Sequence, residues 1–157
     1  MRFCIRLYDE QLTAGRYFTH EHPDEASSWQ MPEILQLMMK EGVECETIDM
    51  CQYGMKAEEA GVVGPARKRT KMISNSKEAL KRVATKCPNS GGPGDAHEHV
   101  QLNNGLAKNG QVDPRKLCQA TCEGIVSQKR IDELGLKADP LMSVEETTQR
   151  FGKGPSN

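Results

Sequence analysis

Six of the seven aromatic residues, Phe3, Tyr8, Tyr17, Phe18, Trp29 and Tyr53, lie at or before position 53, and only Phe151 lies beyond. Bulky burial must therefore be anchored in the N-terminal part, and the rest of the chain has little with which to build a core of its own. Across 157 residues, hydrophobic side chains make up 36%, enough for one small domain. No run approaches the roughly 18 apolar residues of a membrane span. The start, Met1-Arg2-Phe3-Cys4, runs on to the charged Arg6, Asp9 and Glu10, unlike a secretory signal. The expected compartment is intracellular, cytoplasm or nucleus, with no membrane partner. The six cysteines, at 4, 45, 51, 87, 118 and 122, then read as reduced thiols or metal ligands.

Charge is segregated along the chain. Glu21 to Glu59 carries ten acids against Lys40 and Lys56, and Arg67 to Lys86 carries eight bases against Glu78. The total is 21 basic and 22 acidic residues, a net charge of -1. That balance argues against a general coating protein for nucleic acid, while the basic stretch could face phosphate or be solvated surface.

Periodicity predicts a helix from Phe3 to Ala14, with Cys4, Leu7, Tyr8 and Leu12 on one face, and a strand from Arg16 to His20. Glu21-His22-Pro23 reads as a turn. A helix follows from about Pro32, with Met31, Ile34, Leu35 and Met38 inward, ended by Gly42. Val43 to Met50 alternates as a strand, and Met55 to Pro65 reads as a loop. Thr70 to Ser74 is a short strand, expected beside Val43–Met50. Asn75 or Ser76 caps a helix bearing Ala79, Leu80, Val83, Ala84 and Cys87. Pro88 to Gly94 is a cluster of breakers, and His97 to Leu102 is briefly extended. Asp113-Pro114 starts a last helix, with Leu117, Cys118, Thr121, Cys122 and Ile125 at helical spacing. The pattern fades near Leu134, so one α/β domain over 1–133 and a flexible tail over 134–157 are expected.

Glu21-His22-Pro23, Cys51-Gln52-Tyr53-Gly54 and Arg67-Lys68-Arg69-Thr70 occur in order, followed by Leu117-Cys118 on the last helix. Order and spacing resemble the second half of cytosine-5 DNA methyltransferases of the phage type, with Glu-Asn-Pro, Tyr-Cys-Gln-Tyr-Gly, Lys-Pro-Thr and a Leu-Cys helix. The stretch from Gly15 through Trp29 is also similar to a domain within polyproteins of copia-type retrotransposons of protists, notably dinoflagellates. The resemblance spans roughly residues 1 to 128. It implies a partial doubly wound, Rossmann-like methyltransferase sheet of few strands with flanking helices. It implies that Glu21 matches the glutamate that holds the ring nitrogen of a flipped cytosine, here vestigial. Arg67, Lys68 and Arg69 match the family's basic motif near phosphate. His22 stands where the family has asparagine, and Arg69 where it has proline. The family's Gly-rich turn for S-adenosylmethionine and its Pro-Cys nucleophile are both missing. A chain without them cannot run the reaction alone, so no S-adenosylmethionine binding is expected.

His20-Glu21-His22 and His97-Glu98-His99 each place two imidazoles on one face of an extended chain. Cys87, His97, His99 and Cys118 make a candidate Cys₂His₂ zinc site, since thiolate and imidazole both suit zinc. The retroelement-type domain also carries a cysteine followed by His-x-His. The first reading is thus a retroelement-derived methyltransferase-like fragment, not catalytic alone, with weak contact to DNA or RNA through the basic stretch and the remainder of a polyprotein as partner. Its rival is a small zinc-stabilised interaction module without a nucleic-acid role. A third is an enzyme completed by a partner chain that supplies the cofactor half.

Overall fold

The computed structural model describes residues 1–59, 61–89, 97–102 and 112–135. The helix α1 spans Arg2–Thr13 and buries Ile5, with Tyr8 and Leu12 on the same face. Strand β1 is Thr19–Pro23, and a 3₁₀ turn at Ser27–Gln30 seats the buried Trp29. Helix α2, Pro32–Met38, begins on a proline and buries Ile34 and Leu37. Strand β2, Glu44–Asp49, leads into a second 3₁₀ turn at Met50–Tyr53. Then come β3 (Lys56–Glu59), β4 (Val62–Arg67), β5 (Arg69–Ser74), α3 (Lys77–Val83), β6 (Val100–Gln101) and α4 (Arg115–Glu133). Among the described residues no helix is long and apolar enough to cross a membrane.

The class is mixed α/β, with two small three-stranded sheets among the described residues. In the first, β5 lies between β1 and β2 and is antiparallel to both, with Pro23 opposite Thr70 and Asp49 opposite Arg69. Strands β1 and β2 therefore run parallel to each other. The path β1–α2–β2 is a crossover split by an inserted antiparallel strand. The expected neighbours, β2 and β5, do pair. In the second sheet β4 pairs antiparallel with β3 and parallel with β6.

Helices cover both faces of the first sheet. On β5, Ile73 joins Ile5, Phe18, Trp29, Ile34 and Leu37 beneath α1 and α2. Its neighbour Met72 points the other way and joins Ile48, Leu80, Val83 and Leu117 beneath α3 and α4. That second cluster continues through Met55, Ala57, Ala66 and Val100, tying the smaller sheet to the larger.

Four local expectations need correction. Glu21-His22-Pro23 is not a turn but the end of β1; a proline is tolerated there because β1 is an edge strand. The loop expected from Met55 to Pro65 is instead strand at 56–59 and 62–65, paired in the β3–β4 hairpin, whose buried residues Ala57 and Ala66 are too small to read as an apolar stripe. Asn75 does not cap α3. Ser76 Oγ accepts from Ala79 N at 3.2 Å, while Asn75 accepts from Phe18 N and donates to Arg16 O, both at 2.9 Å. On α4 the buried residues are Leu117 and Gly124, and Cys118 and Cys122 are exposed. At Gly124 the helices come so close that a Cβ would lie 2.5 Å from Ala79 Cα, which turns the cysteines outward. Residues 90–94 of the breaker cluster and 136–157 of the expected tail lie outside the described residues.

Candidate metal centre

Three segments meet beyond the end of β2. The first is the turn Met50–Tyr53, which carries Cys51. Gly54 closes it at φ 82, a left-handed conformation that glycine adopts without strain. Met55 N donates back to Met50 O at 3.1 Å. Tyr53 anchors the turn by donating its hydroxyl to Val83 O at 3.0 Å. The second segment follows α3 and carries Cys87. It lies against β2, with Asp49 N donating to Thr85 O at 3.1 Å and Cys87 N donating to Asp49 Oδ2 at 2.8 Å. The third is the run into β6. Buried Val100 pairs with Ala66, and Asn89 Nδ2 donates to His97 O. Two residues apart on extended backbone, His97 and His99 turn to the same side.

Cys51, Cys87, His97 and His99 each offer one ligating atom, and all four atoms lie within 4.8 Å of one another. Cys87 Sγ is 3.6 Å from both His97 Nε2 and His99 Nε2. His99 Nε2 is 3.4 Å from Cys51 Sγ and 3.0 Å from His97 Nε2. A tetrahedron with bonds of about 2.0 Å to nitrogen and about 2.3 Å to sulfur has edges of roughly 3.3 to 3.8 Å. The three sulfur–nitrogen separations of 3.4 to 3.6 Å fall within those edges and the two imidazole nitrogens sit closer, at 3.0 Å, so the cluster could hold a metal ion. Burial pushes the Cys51 thiol above its ordinary value; a hydrogen bond from Gln52 works the other way. A cation bound between the sulfurs would reverse that balance, since ligation requires the thiolate.

The structure brings together three of the four ligands read from the sequence, Cys87, His97 and His99. Cys118 stands exposed on α4 and is not in the cluster; Cys51 takes the fourth place. One signal for Cys51 was present: a cysteine opening a tight turn closed by glycine directly after a strand. Glu21 sits inside β1, with Oε1 3.5 Å from Lys68 Nζ, and Lys68 Nζ also lies 3.7 Å from Asp113 Oδ1. Arg69 Nε donates to Asp49 Oδ1 at 3.1 Å. Arg67, Lys68 and Arg69 line a polar pocket of about 30 Å³ together with Cys51, Cys87 and His99. The basic run and the metal ligands, far apart in sequence, thus share one end of the molecule. His20 and His22 stack at 5.9 Å on the opposite face of β1 from Glu21. Tyr8 and Trp29 border His20, so that pair belongs to the aromatic core and not to a second cluster.

Comparison with protein families, with curated proteins and with solved structures finds no match.

Proposed function

We propose that this chain is a small α/β interaction module closed by one structural zinc ion, held by Cys51, Cys87, His97 and His99. The observation that carries the reading is the convergence of four donor atoms from three chain segments, all within 4.8 Å of one another. Two thiolates and two imidazoles suit zinc better than the harder divalent cations, which prefer oxygen. Four protein ligands leave no open position for substrate, so the ion's work is to hold the fold. It clasps the end of β2, the segment after α3 and the run into β6. In solution, a chelator should lower the melting temperature of the zinc-loaded protein. Cys51→Ser should remove that sensitivity, and Cys118→Ser should leave it intact. Loss of the response in Cys118→Ser but not in Cys51→Ser would overturn this ligand set.

A second reading is a retroelement-derived, methyltransferase-like fragment that contacts DNA or RNA and works beside the remainder of a polyprotein. What supports it is that Glu21, Cys51 and Arg67–Thr70 gather at one end of the first sheet, where β1 and β2 finish. In open α/β sheets, ligands lie beyond the carboxyl ends of parallel strands. Helices on both faces and the split crossover are compatible with part of a doubly wound sheet. On this reading Glu21 is vestigial, because the family's Pro-Cys nucleophile and Gly-rich turn are missing from the chain. Calorimetry should detect no binding of S-adenosylmethionine; saturable micromolar binding would sink the fragment reading.

A further inference from the structure

We propose that Asp49 is the positioning residue of the metal centre. Its carboxylate, shared between the Cys87 amide and Arg69, sets the Cys87 sulfur where a metal can be gripped. The inference rests on the metal reading above.

Asp49 is buried, with its side chain 10% exposed. A carboxylate is costly in such a place unless its oxygens are used. Each has a partner: Oδ2 accepts from Cys87 N at 2.8 Å, and Oδ1 accepts from Arg69 Nε at 3.1 Å. The backbone of Asp49 adds a third bond, from its N–H to Thr85 O at 3.1 Å. One residue thus holds both the carbonyl of Thr85 and the amide of Cys87. That pins the peptide plane entering Cys87 and leaves the side-chain torsion to aim the sulfur. Asp49 also lies two residues before Cys51, at the start of the turn that carries it. It therefore acts on both thiols, on Cys51 through the chain and on Cys87 through a hydrogen bond. A carboxylate beside two thiolates is unfavourable unless cations offset it. Arg69 supplies one such charge and the bound metal the rest. Arg69 itself sits directly across the ladder from Asp49, so the pair is built into the register of β2 and β5.

The test uses the full chain, with zinc affinity measured by competition against a chromophoric chelator and the site read out by cobalt(II) absorption. Asp49→Ala should weaken zinc about 10- to 100-fold, as loss of an outer-shell partner does. Asp49→Asn keeps an acceptor for the Cys87 amide and should lose less. Arg69→Ala should lose less than Asp49→Ala. The sulfur-to-cobalt band should shift in Asp49→Ala. Wild-type affinity and an unchanged cobalt spectrum in Asp49→Ala, with only the melting temperature lowered, would overturn the inference by confining Asp49 to the fold. Should Asp49→Ala not fold, wild-type affinity in both Asp49→Asn and Arg69→Ala overturns it equally. A wild-type chain that takes up no zinc overturns the metal reading itself, a result distinct from tight binding in every variant.

Discussion

His20 is sealed into the N-terminal core with its Nδ1 3.0 Å from the Tyr8 hydroxyl and its ring against Trp29. Its buried Nε2 has no hydrogen-bond partner among the described residues. Burial, and then the neighbouring His22, hold its pKa below the ordinary histidine value. The unfolded chain therefore binds a proton more readily than the folded one. This contribution is fully present above the ordinary value and is lost as pH falls towards the lowered one. Stability should decline between about pH 7 and pH 5, the range in which ordinary histidines titrate. His20→Gln, which keeps a polar partner for Tyr8, should flatten the decline; an equally steep profile in that variant would remove His20 as its cause. Zinc release also follows acidification, so the comparison is made on chelated protein. The residue scale also shows what was legible in the site. His97 and His99 announced themselves by spacing, and Cys87 by its place before a breaker-rich segment. The turn that carries Cys51 is legible too, but not the ligands it meets, because which turn meets which loop is decided by strand order, not by distance along the chain.

Among the elements, the seam between α3 and α4 is the most demanding. Gly124 lies against the backbone of α3, where an added Cβ would meet Ala79 Cα at 2.5 Å and Glu78 O at 2.9 Å. Backbone atoms cannot swing aside as a flexible side chain can, so Gly124→Ala forces the helices apart, at about 1–3 kcal/mol. The better helix propensity of alanine returns at most about 1 kcal/mol. Denaturant unfolding should show a net loss of about 1–2 kcal/mol, and a neutral or stabilising result would mean that the seam is looser than described. One turn further along, Gln128 Oε1 accepts from Glu78 N at 3.2 Å and satisfies an amide of the first turn of α3. Helix existence here was readable from 3.6-residue spacing, but the inward face of α4 was not. A glycine contributes no hydrophobicity, so helical spacing draws the stripe through Cys118 and Cys122 instead. The β3–β4 hairpin was hidden for a related reason, since alanines line its buried side.

At the scale of the whole molecule, the charge segregation of the sequence is internal complementarity. Four acids of the acidic stretch meet four bases of the basic one: Glu21 with Lys68, Asp49 with Arg69, Asp24 with Lys71 and Glu44 with Lys77, at 3.1 to 3.5 Å. Strands β1 and β2 carry three of these acids, and β5 between them carries two of the bases, Arg69 and Lys71. Of the four, Glu44–Lys77 is the pair exposed at both ends, and a pair of that kind is worth about 0–1 kcal/mol. They also change how nucleic-acid contact is tested. Replacing Arg67, Lys68 and Arg69 together would disturb the three ion pairs of Lys68 and Arg69, whereas Arg67 and Lys86 are exposed and form no ion pair among the described residues. If the protein binds nucleic acid through this side, Arg67→Ala with Lys86→Ala should weaken binding and reduce the salt slope by about 2, one unit per lost phosphate contact. Unchanged affinity in that double variant would leave the basic run as the inner partner of the acidic one.

A metal held by Cys51, Cys87, His97 and His99 would close this fold. Zinc-edge X-ray absorption on the loaded full chain reads the ligand set directly. The expected result is one zinc per chain, with two nitrogen ligands at about 2.0 Å and two sulfur ligands at about 2.3 Å. In Cys51→Ser one sulfur should be lost, and in Cys118→Ser both should remain. A shell of nitrogen and oxygen alone, or a sulfur that disappears with Cys118 rather than with Cys51, would contradict it.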